Sequence, residues 1–210
     1  MLRVGLTGGI ACGKSTVAAM MQELGCHVFE ADRISHRLIE PGQPAYEEVL
    51  REFGRGILAP DGRVDRKRLG AIVFADPARL ARLNAIIHPL VFAEEDREFS
   101  RLAKEDPHGV AVVVAALIVE AGFDKRLDRL VVACCKPEQQ IERLTDGSQG
   151  RGLTREQASL RVAAQLDPAE KRKLADDEID CSGTLEETRK QVQTLVERLK
   201  RLAASPSTSR

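Results

Sequence analysis

The stretch Gly8-Gly9-Ile10-Ala11-Cys12-Gly13-Lys14-Ser15 constrains the fold of this chain more than any other. It reads G-x-x-x-x-G-K-S, a phosphate-binding loop. Glycines let successive backbone N–H groups turn inward around nucleotide phosphates, the lysine reaches the outer phosphates, and the serine hydroxyl suits Mg²⁺. The motif needs a strand before it and a helix after it. Leu2 to Leu6 is a short apolar run, and Thr16-Val17-Ala18-Ala19-Met20-Met21 continues as a helix former whose positive dipole end faces the same anion. The plain alternative is a glycine turn that binds nothing.

The rest of the chain narrows the class. At 210 residues it buries one good core with small inserted lobes. Lys+Arg and Asp+Glu balance at 32 each, so no global field draws nucleic acid or an anionic membrane. With aromatics at 3% and no Trp there are few stacking platforms for single strands. The start of the chain lacks a signal peptide's layout, and the longest apolar run, Val110 to Val119, is too short to span a bilayer. Five cysteines without a C-x-x-C pair, Cys134 and Cys135 among them, read as small apolar residues in a reducing cytosol. A cytoplasmic enzyme or switch is the expectation.

Read in order, Gly25 stops the first helix and Cys26-His27-Val28-Phe29 is a second short strand ending at Glu30-Ala31-Asp32. Ligands bind at the carboxyl ends of strands in open parallel sheets, so Asp32 either acts on whatever lies beside the phosphate loop or caps the next helix. His27 and His36 have no ligand-like spacing. From Arg33 to about Lys104 the pattern is helices and turns: Pro41-Gly42-Gln43-Pro44 breaks a helix, Asp61-Gly62 marks a tight turn, and Asp65 caps a new helix. Leu80, Leu83, Ile86 and Ile87 then recur at helical spacing until Pro89, which predicts a break there. Such an insertion reads as a helical lobe over the carboxyl edge of the sheet. Its Arg66 and His88 either bind an anionic substrate or form a surface ion pair and a satisfied helix-end histidine.

Val110 to Leu117 is the strongest strand, ending near Glu120, and Arg129 to Cys134 is another central one. Strand and helix in alternation specify an α/β doubly wound domain with a parallel sheet. Pro137 opens a helix through Leu144, Thr145 to Gly152 is a glycine-rich loop, and Thr154 with Gln157 makes a capping box. Seven basic residues face four acidic ones between Arg143 and Lys173, so this helix-loop-helix is either a lid closing on phosphates or a solvated helical pair. Glu178-Ile179-Asp180 is a final short strand. Thr184 with Glu187 caps a last helix whose apolar face runs from Leu185 through Val192, Leu195, Val196 and Leu199 to Leu202, and residues 203–210 form a disordered tail.

These parts suit phosphoryl transfer, where catalysis is chiefly positioning and charge neutralisation. A switch GTPase needs a guanine-reading N-K-x-D, which the chain lacks. Thr7-Gly8-Gly9-Ile10-Ala11-Cys12-Gly13-Lys14-Ser15-Thr16, Glu30-Ala31-Asp32, Asp61-Gly62-Arg63-Val64-Asp65-Arg66 with Leu69, Val73-Phe74, Ile87-His88-Pro89 and Ile179-Asp180-Cys181-Ser182-Gly183 resemble dephospho-CoA kinases in order across nearly the whole chain. The resemblance implies a three-layer P-loop NTPase core (about 1–33, 108–136 and 174–202), an inserted helical acceptor-binding lobe (about 34–107) and a helical lid (about 137–173) within one domain spanning 1–202. It implies transfer of the ATP γ-phosphate to the ribose 3′-hydroxyl of dephospho-CoA, with Mg²⁺ accompanying ATP and the chain a monomer or weak homo-oligomer.

Carried over by position, Lys14 and Asp32 are catalytic, and Gly9, Ala11, Cys12, Gly13, Lys14, Ser15, Thr16, Arg143 and Arg151 bind ATP. Thr7, Asp32, Arg66 and His88 meet the acceptor, and Ser15 holds the metal. Departures from the family pattern are Cys12 for serine, Glu30 for the first aspartate of D-A-D, Ala116-Leu117-Ile118 for Pro-Leu-Leu, Cys181 for an asparagine, and extra lid residues from Asp146 to Gly150. Competing expectations are a P-loop kinase for another small acceptor, such as a nucleoside monophosphate, and a non-catalytic ATP or CoA-binding module.

Overall fold

A computed structural model of the chain describes residues 1–147, 152–163, 165–166 and 168–205. They form two compact units, one of residues 1–29 with 99–210 and one of residues 30–98.

The first unit is built on a sheet. Strand β1 (Leu2–Gly8) is flanked by β3 (Val110–Val114) and β4 (Arg129–Cys134), with β2 (His27–Glu30) and β5 (Asp177–Asp180) at the edges, in the order β2-β3-β1-β4-β5. The pairings of β1 with β3, β1 with β4 and β4 with β5 are parallel. β3 is buried along its whole length and β4 at four of six positions, as continuous apolar runs in a parallel sheet should be. On one face Val4, Leu6, Val112, Val131 and Ile179 pack against Val17, Met20 and Met21 of α1 (Lys14–Glu23) and Val192, Leu195, Val196 and Leu199 of α9 (Leu185–Ala204). Thr184 and Glu187 cap α9 reciprocally. Between β4 and β5 lie α6 (Pro137–Thr145), α7 (Arg155–Ala163) and α8 (Pro168–Leu174), and the Thr154–Gln157 box forms at the start of α7 at 3.2 Å in both directions.

Several boundaries differ from the sequence expectation. β3 stops at Val114: the Ala115 amide still donates to the Leu6 carbonyl at 3.2 Å, but the Ala116 carbonyl accepts from the Thr7 and Lys171 side chains. Leu185 and Leu202 are exposed, lying at the two ends of α9 beyond the reach of the sheet. α9 continues through Ala204, so residues 203 and 204 are helix rather than tail.

The second unit holds α2 (Ala31–Leu38), α3 (Tyr46–Phe53), α4 (Arg66–Val73) and the greater part of α5 (Pro77–Glu105). Leu38, Val49, Leu50, Phe53, Ile57, Leu69, Val73, Ile86, Ile87 and Val91 are among its buried side chains. Asp65 caps α4 by accepting from the amides of Lys67 and Arg68 at 2.9 and 3.1 Å. Pro89 does not end its helix. It removes one i→i−4 bond, but Ile86, Ile87 and Val91 are buried on both sides of it, and burial at roughly 1.5–3 kcal/mol per side chain outweighs that loss.

Candidate active site

The loop between β1 and α1 is shaped by its glycines and by one exception. Gly8 and Gly13 take φ of 146° and 95°, while Ala11 is at φ 59°. No other described residue besides glycine has positive φ, and such backbone strain gathers at ligand-binding loops. A side chain on Gly8 would strike the Ala133 carbonyl at 2.1 Å, and one on Gly9 would meet Gln140 at 2.5 Å. The loop amide of Cys12 donates to the Gly9 carbonyl at 3.3 Å, and Val17 opens the α1 ladder on Gly13 at 3.0 Å.

Side chains from α1, from α6 and from the stretch after α7 close around this loop. Lys14 curls back so that Nζ donates to the carbonyls of Gly8 and Gly9, each at 2.8 Å. Gln140 of α6, buried, donates to the Ile10 carbonyl at 2.8 Å, and Gln165 accepts from the Ile10 amide at 2.7 Å. The Arg143 guanidinium spans the Ala11 carbonyl at 3.2 Å and the Cys181 carbonyl at 2.7 Å. The Cys181 amide donates to Cys134 at 2.7 Å, so both backbone groups of the residue standing in for the family's asparagine are engaged. Ser15 is exposed on the first turn of α1, and its hydroxyl makes no hydrogen bond among the described residues. Thr16 follows it, half-buried.

Register explains the convergence. Gly8 pairs with Ala133, so the loop leaving β1 and the residues leaving β4 emerge side by side. Cys135 therefore reaches Cys12, its thiol donating to the Cys12 sulfur at 3.6 Å. That bond, helped by the Lys14 ammonium and opposed by burial, holds Cys12 down to about 6, while the same contact pushes the Cys135 thiol up. Thr7, one residue before the loop, is fully buried with its hydroxyl donating to the Ala116 carbonyl at 3.2 Å.

In the second unit Asp32 sits in the first turn of α2, exposed. It is not the cap of that helix: Glu30 occupies the N-cap and makes no side-chain cap bond. One turn along is His36, whose Nδ1 accepts from Arg66 at 2.8 Å. Partial burial and the neighbouring guanidinium lower His36 below its ordinary 6.5, with Asp32 acting in the opposite sense. Asp32 and Arg66 thus act on one imidazole, the arginine by a hydrogen bond and the aspartate by its charge. His88 lies on α5, its ring stacked on Phe92 with centroids 5.8 Å apart, and burial lowers it as well. Arg151 falls outside the described residues. Gln140, Gln165 and Cys135 had no local sequence signal, since each reaches the loop from over 120 residues away.

A glycine loop from a central parallel strand to a helix N-terminus, with a lysine at its mouth, defines a P-loop nucleotide-binding fold of the small-kinase kind. The family model described as Dephospho-CoA kinase matches residues 2–187, and the chain belongs to that family. A Dephospho-CoA kinase of Leifsonia xyli subsp. xyli is 45% identical over 195 residues, covering 93% of this chain and 97% of the relative. One of Symbiobacterium thermophilum is 46% identical over 190 residues, 90% of this chain and 78% of the relative. Among solved structures, TT1252 from Thermus thermophilus has a TM-score of 0.81 at 33% identity, covering 94% of this chain and 96% of that one. A Dephospho-CoA kinase from Campylobacter jejuni has a TM-score of 0.69 at 26% identity with the same coverage. A shikimate kinase from Bacteroides thetaiotaomicron, at 15% identity and TM-score 0.51 over 96% of this chain and 97% of that one, shares the fold.

Proposed function

We propose that this chain transfers the γ-phosphate of ATP to the ribose 3′-hydroxyl of dephospho-CoA, giving coenzyme A and ADP in the last step of coenzyme A biosynthesis. The observation that carries the reading is the loop itself: Ala11 held at φ 59° between strand and helix, with Lys14 and Arg143 converging on its carbonyls, in a chain matched to the family over residues 2–187.

In this reading the backbone of Gly9 and of Ala11 to Thr16 cradles the phosphates of ATP, the Ile10 amide being taken by Gln165, and the N-terminal end of α1 adds its positive field. Lys14 neutralises charge developing on the transferring phosphoryl group, and Arg143 supplies a second cation beside the loop. Asp32 accepts the proton of the attacking 3′-hydroxyl or orients that hydroxyl. Arg66, its guanidinium steered by neutral His36, and His88 meet the anionic acceptor, which assigns that role to the helical unit. Thr7 acts from beneath, by fixing the Ala116 carbonyl. The α6–α8 segment serves as the lid, and Arg151 within it is a further ATP contact. Ser15 fits Mg²⁺: its exposed hydroxyl is a hard oxygen on the first turn of α1, and Mg²⁺ on a nucleotide asks for few protein ligands because it keeps waters and phosphate oxygens. That fits the finding that no cluster of three or more His, Cys, Asp or Glu that could hold a metal occurs among the described residues. Bound there, the ion offsets phosphate charge.

We place the chain in the cytoplasm, acting as a monomer or weak homo-oligomer on ATP and dephospho-CoA and not on nucleic acid or a membrane. Among the described residues no helix is long and apolar enough to cross a membrane. A coupled ADP-release assay with and without dephospho-CoA, run beside a panel of nucleoside monophosphates, tests the reading. ADP release that depends on dephospho-CoA is expected; release that depends on another acceptor, or none despite ATP binding, overturns it.

A further inference from the structure

We propose that Cys12 and Cys135 form a reversible disulfide across the phosphate loop, so that hydroperoxides switch off ATP use. The two residues are 123 apart in sequence, yet their sulfurs lie 3.6 Å apart with the Cys135 thiol pointing at Cys12. The Cys135 sulfur also lies 4.0 Å from the Ala11 carbonyl, so it rests against the strained part of the loop itself.

The surroundings give the pair unequal roles. Cys12 is two residues ahead of α1, near the Lys14 ammonium, and both favour a thiolate. Cys135 carries the shared proton and is half-buried, while Cys12 is 3% exposed, so only an oxidant small enough to pass Cys135 reaches it. The remaining cysteines are placed differently. The Cys134 and Cys181 thiols donate to the Ile179 carbonyl at 3.6 and 3.8 Å, and Cys26 lies in the core under α1 and α9.

The chemistry balances with one equivalent of hydroperoxide. The Cys12 thiolate attacks one peroxide oxygen, giving a sulfenic acid at Cys12; the leaving hydroxide takes up a proton as water. The Cys135 sulfur then displaces the sulfenic oxygen, which leaves as water with the Cys135 proton, and the S–S bond forms. Two thiols and one hydrogen peroxide become one disulfide and two waters, two electrons passing from sulfur to oxygen. A dithiol reductant reverses it. Bonding requires the sulfurs to close from 3.6 Å to roughly 2.05 Å, which turns both side chains and draws the loop toward the stretch between β4 and α6. The Cys12 amide, one of those proposed to meet phosphate, moves with it.

The full chain is treated with a few equivalents of hydrogen peroxide, quenched by alkylation, digested without reduction and mapped by mass spectrometry, with ATP turnover followed in parallel. A linked peptide carrying Cys12 and Cys135 is expected, with kcat/KM for ATP falling on the order of 100-fold, as displacement by about 1 Å can cause, and returning with dithiothreitol. Cys135→Ser should keep its basal activity, form no such link and show no reversible loss. The link is read by mass and stands whatever the acceptor proves to be, whereas the loss of turnover rests on the ATP-loop reading above. Absence of the link, a link to Cys134 or Cys181 instead, or a Cys135→Ser enzyme that is lost and recovered as the wild type is, overturns the pairing. A Cys12–Cys135 link that leaves ATP turnover intact overturns the switch.

Discussion

Lys171 Nζ lies 2.8 Å from the Glu120 carboxylate, with the lysine 1% exposed. The same ammonium donates to the Ala116 carbonyl at 2.7 Å, which Thr7 also approaches. One cation on α8 therefore fixes the segment leaving β3 directly beside the end of β1. Replacing it with an apolar residue strands the carboxylate and removes a donor from that carbonyl. Lys171→Met should cost about 2–3 kcal/mol, below the 3–5 of a fully buried pair because the Glu120 side chain, 25% exposed, can rehydrate. Thermal and urea denaturation check this; an unchanged midpoint would show that the ammonium contributes nothing net.

Arg143 makes a different kind of bridge. Its guanidinium joins the Ala11 carbonyl on the phosphate loop to the Cys181 carbonyl after β5, and a lysine ammonium lacks the planar fork that spans two acceptors. Arg143→Lys should retain the fold, raise KM for ATP roughly tenfold, and lower stability by about 1 kcal/mol, the usual worth of one lost hydrogen bond. Steady-state kinetics with varied ATP decide it. A KM at the wild-type value would mean that the bridge does not shape the nucleotide site.

The parts of this fold that could be read in advance are those whose cause is local. β4 falls where its apolar run lies, and the caps at Asp65, Thr154 and Thr184 form as spaced. Pro89 misled because proline's cost is local while the burial that outweighs it, at Ile86, Ile87 and Val91, is tertiary. The five cysteines are free, as the sequence reading has them, but the contact between two of them was not legible for a related reason. Nothing near Cys12 or Cys135 in the chain announces a pair, and only the register of Gly8 with Ala133 brings them together. For the same reason Gln140 and Gln165, which hold both backbone groups of Ile10, could not be found before the helices were placed. The loop motif marked the proposed phosphate site; the side chains that brace the loop were set by topology.

Asp32 separates chemistry from architecture. It is exposed, does not cap α2, and lies in that helix's first turn, where a carboxylate contributes about 0.3–1 kcal/mol through the dipole. Asp32→Asn should therefore leave the melting temperature within a few degrees of wild type. Turnover should fall on the order of 10²–10⁴-fold, the usual contribution of a general base, with KM for ATP little changed. A variant with near wild-type kcat would remove Asp32 from the reaction.

Protonation of the sulfur pair is separable from its oxidation. The largest influence on Cys12 is the thiol donated by Cys135, followed by burial, which opposes it, and by Lys14. Ultraviolet thiolate absorbance, taken as the difference between wild type and Cys12→Ser, should rise with pH through about 6, well below the ordinary 9.0. Cys135→Ala removes the thiol donor and leaves burial, which favours the neutral thiol, against the lysine and the weaker backbone hydrogen bonds of Cys135 and Gly9. The Cys12 transition should then move upward, toward or past the ordinary value. Because this readout needs no reagent to reach the buried sulfur, it reports the pair directly. A transition that stays near 6 in Cys135→Ala would assign the effect to Lys14 and the end of α1, and would leave Cys135 without influence on the thiolate.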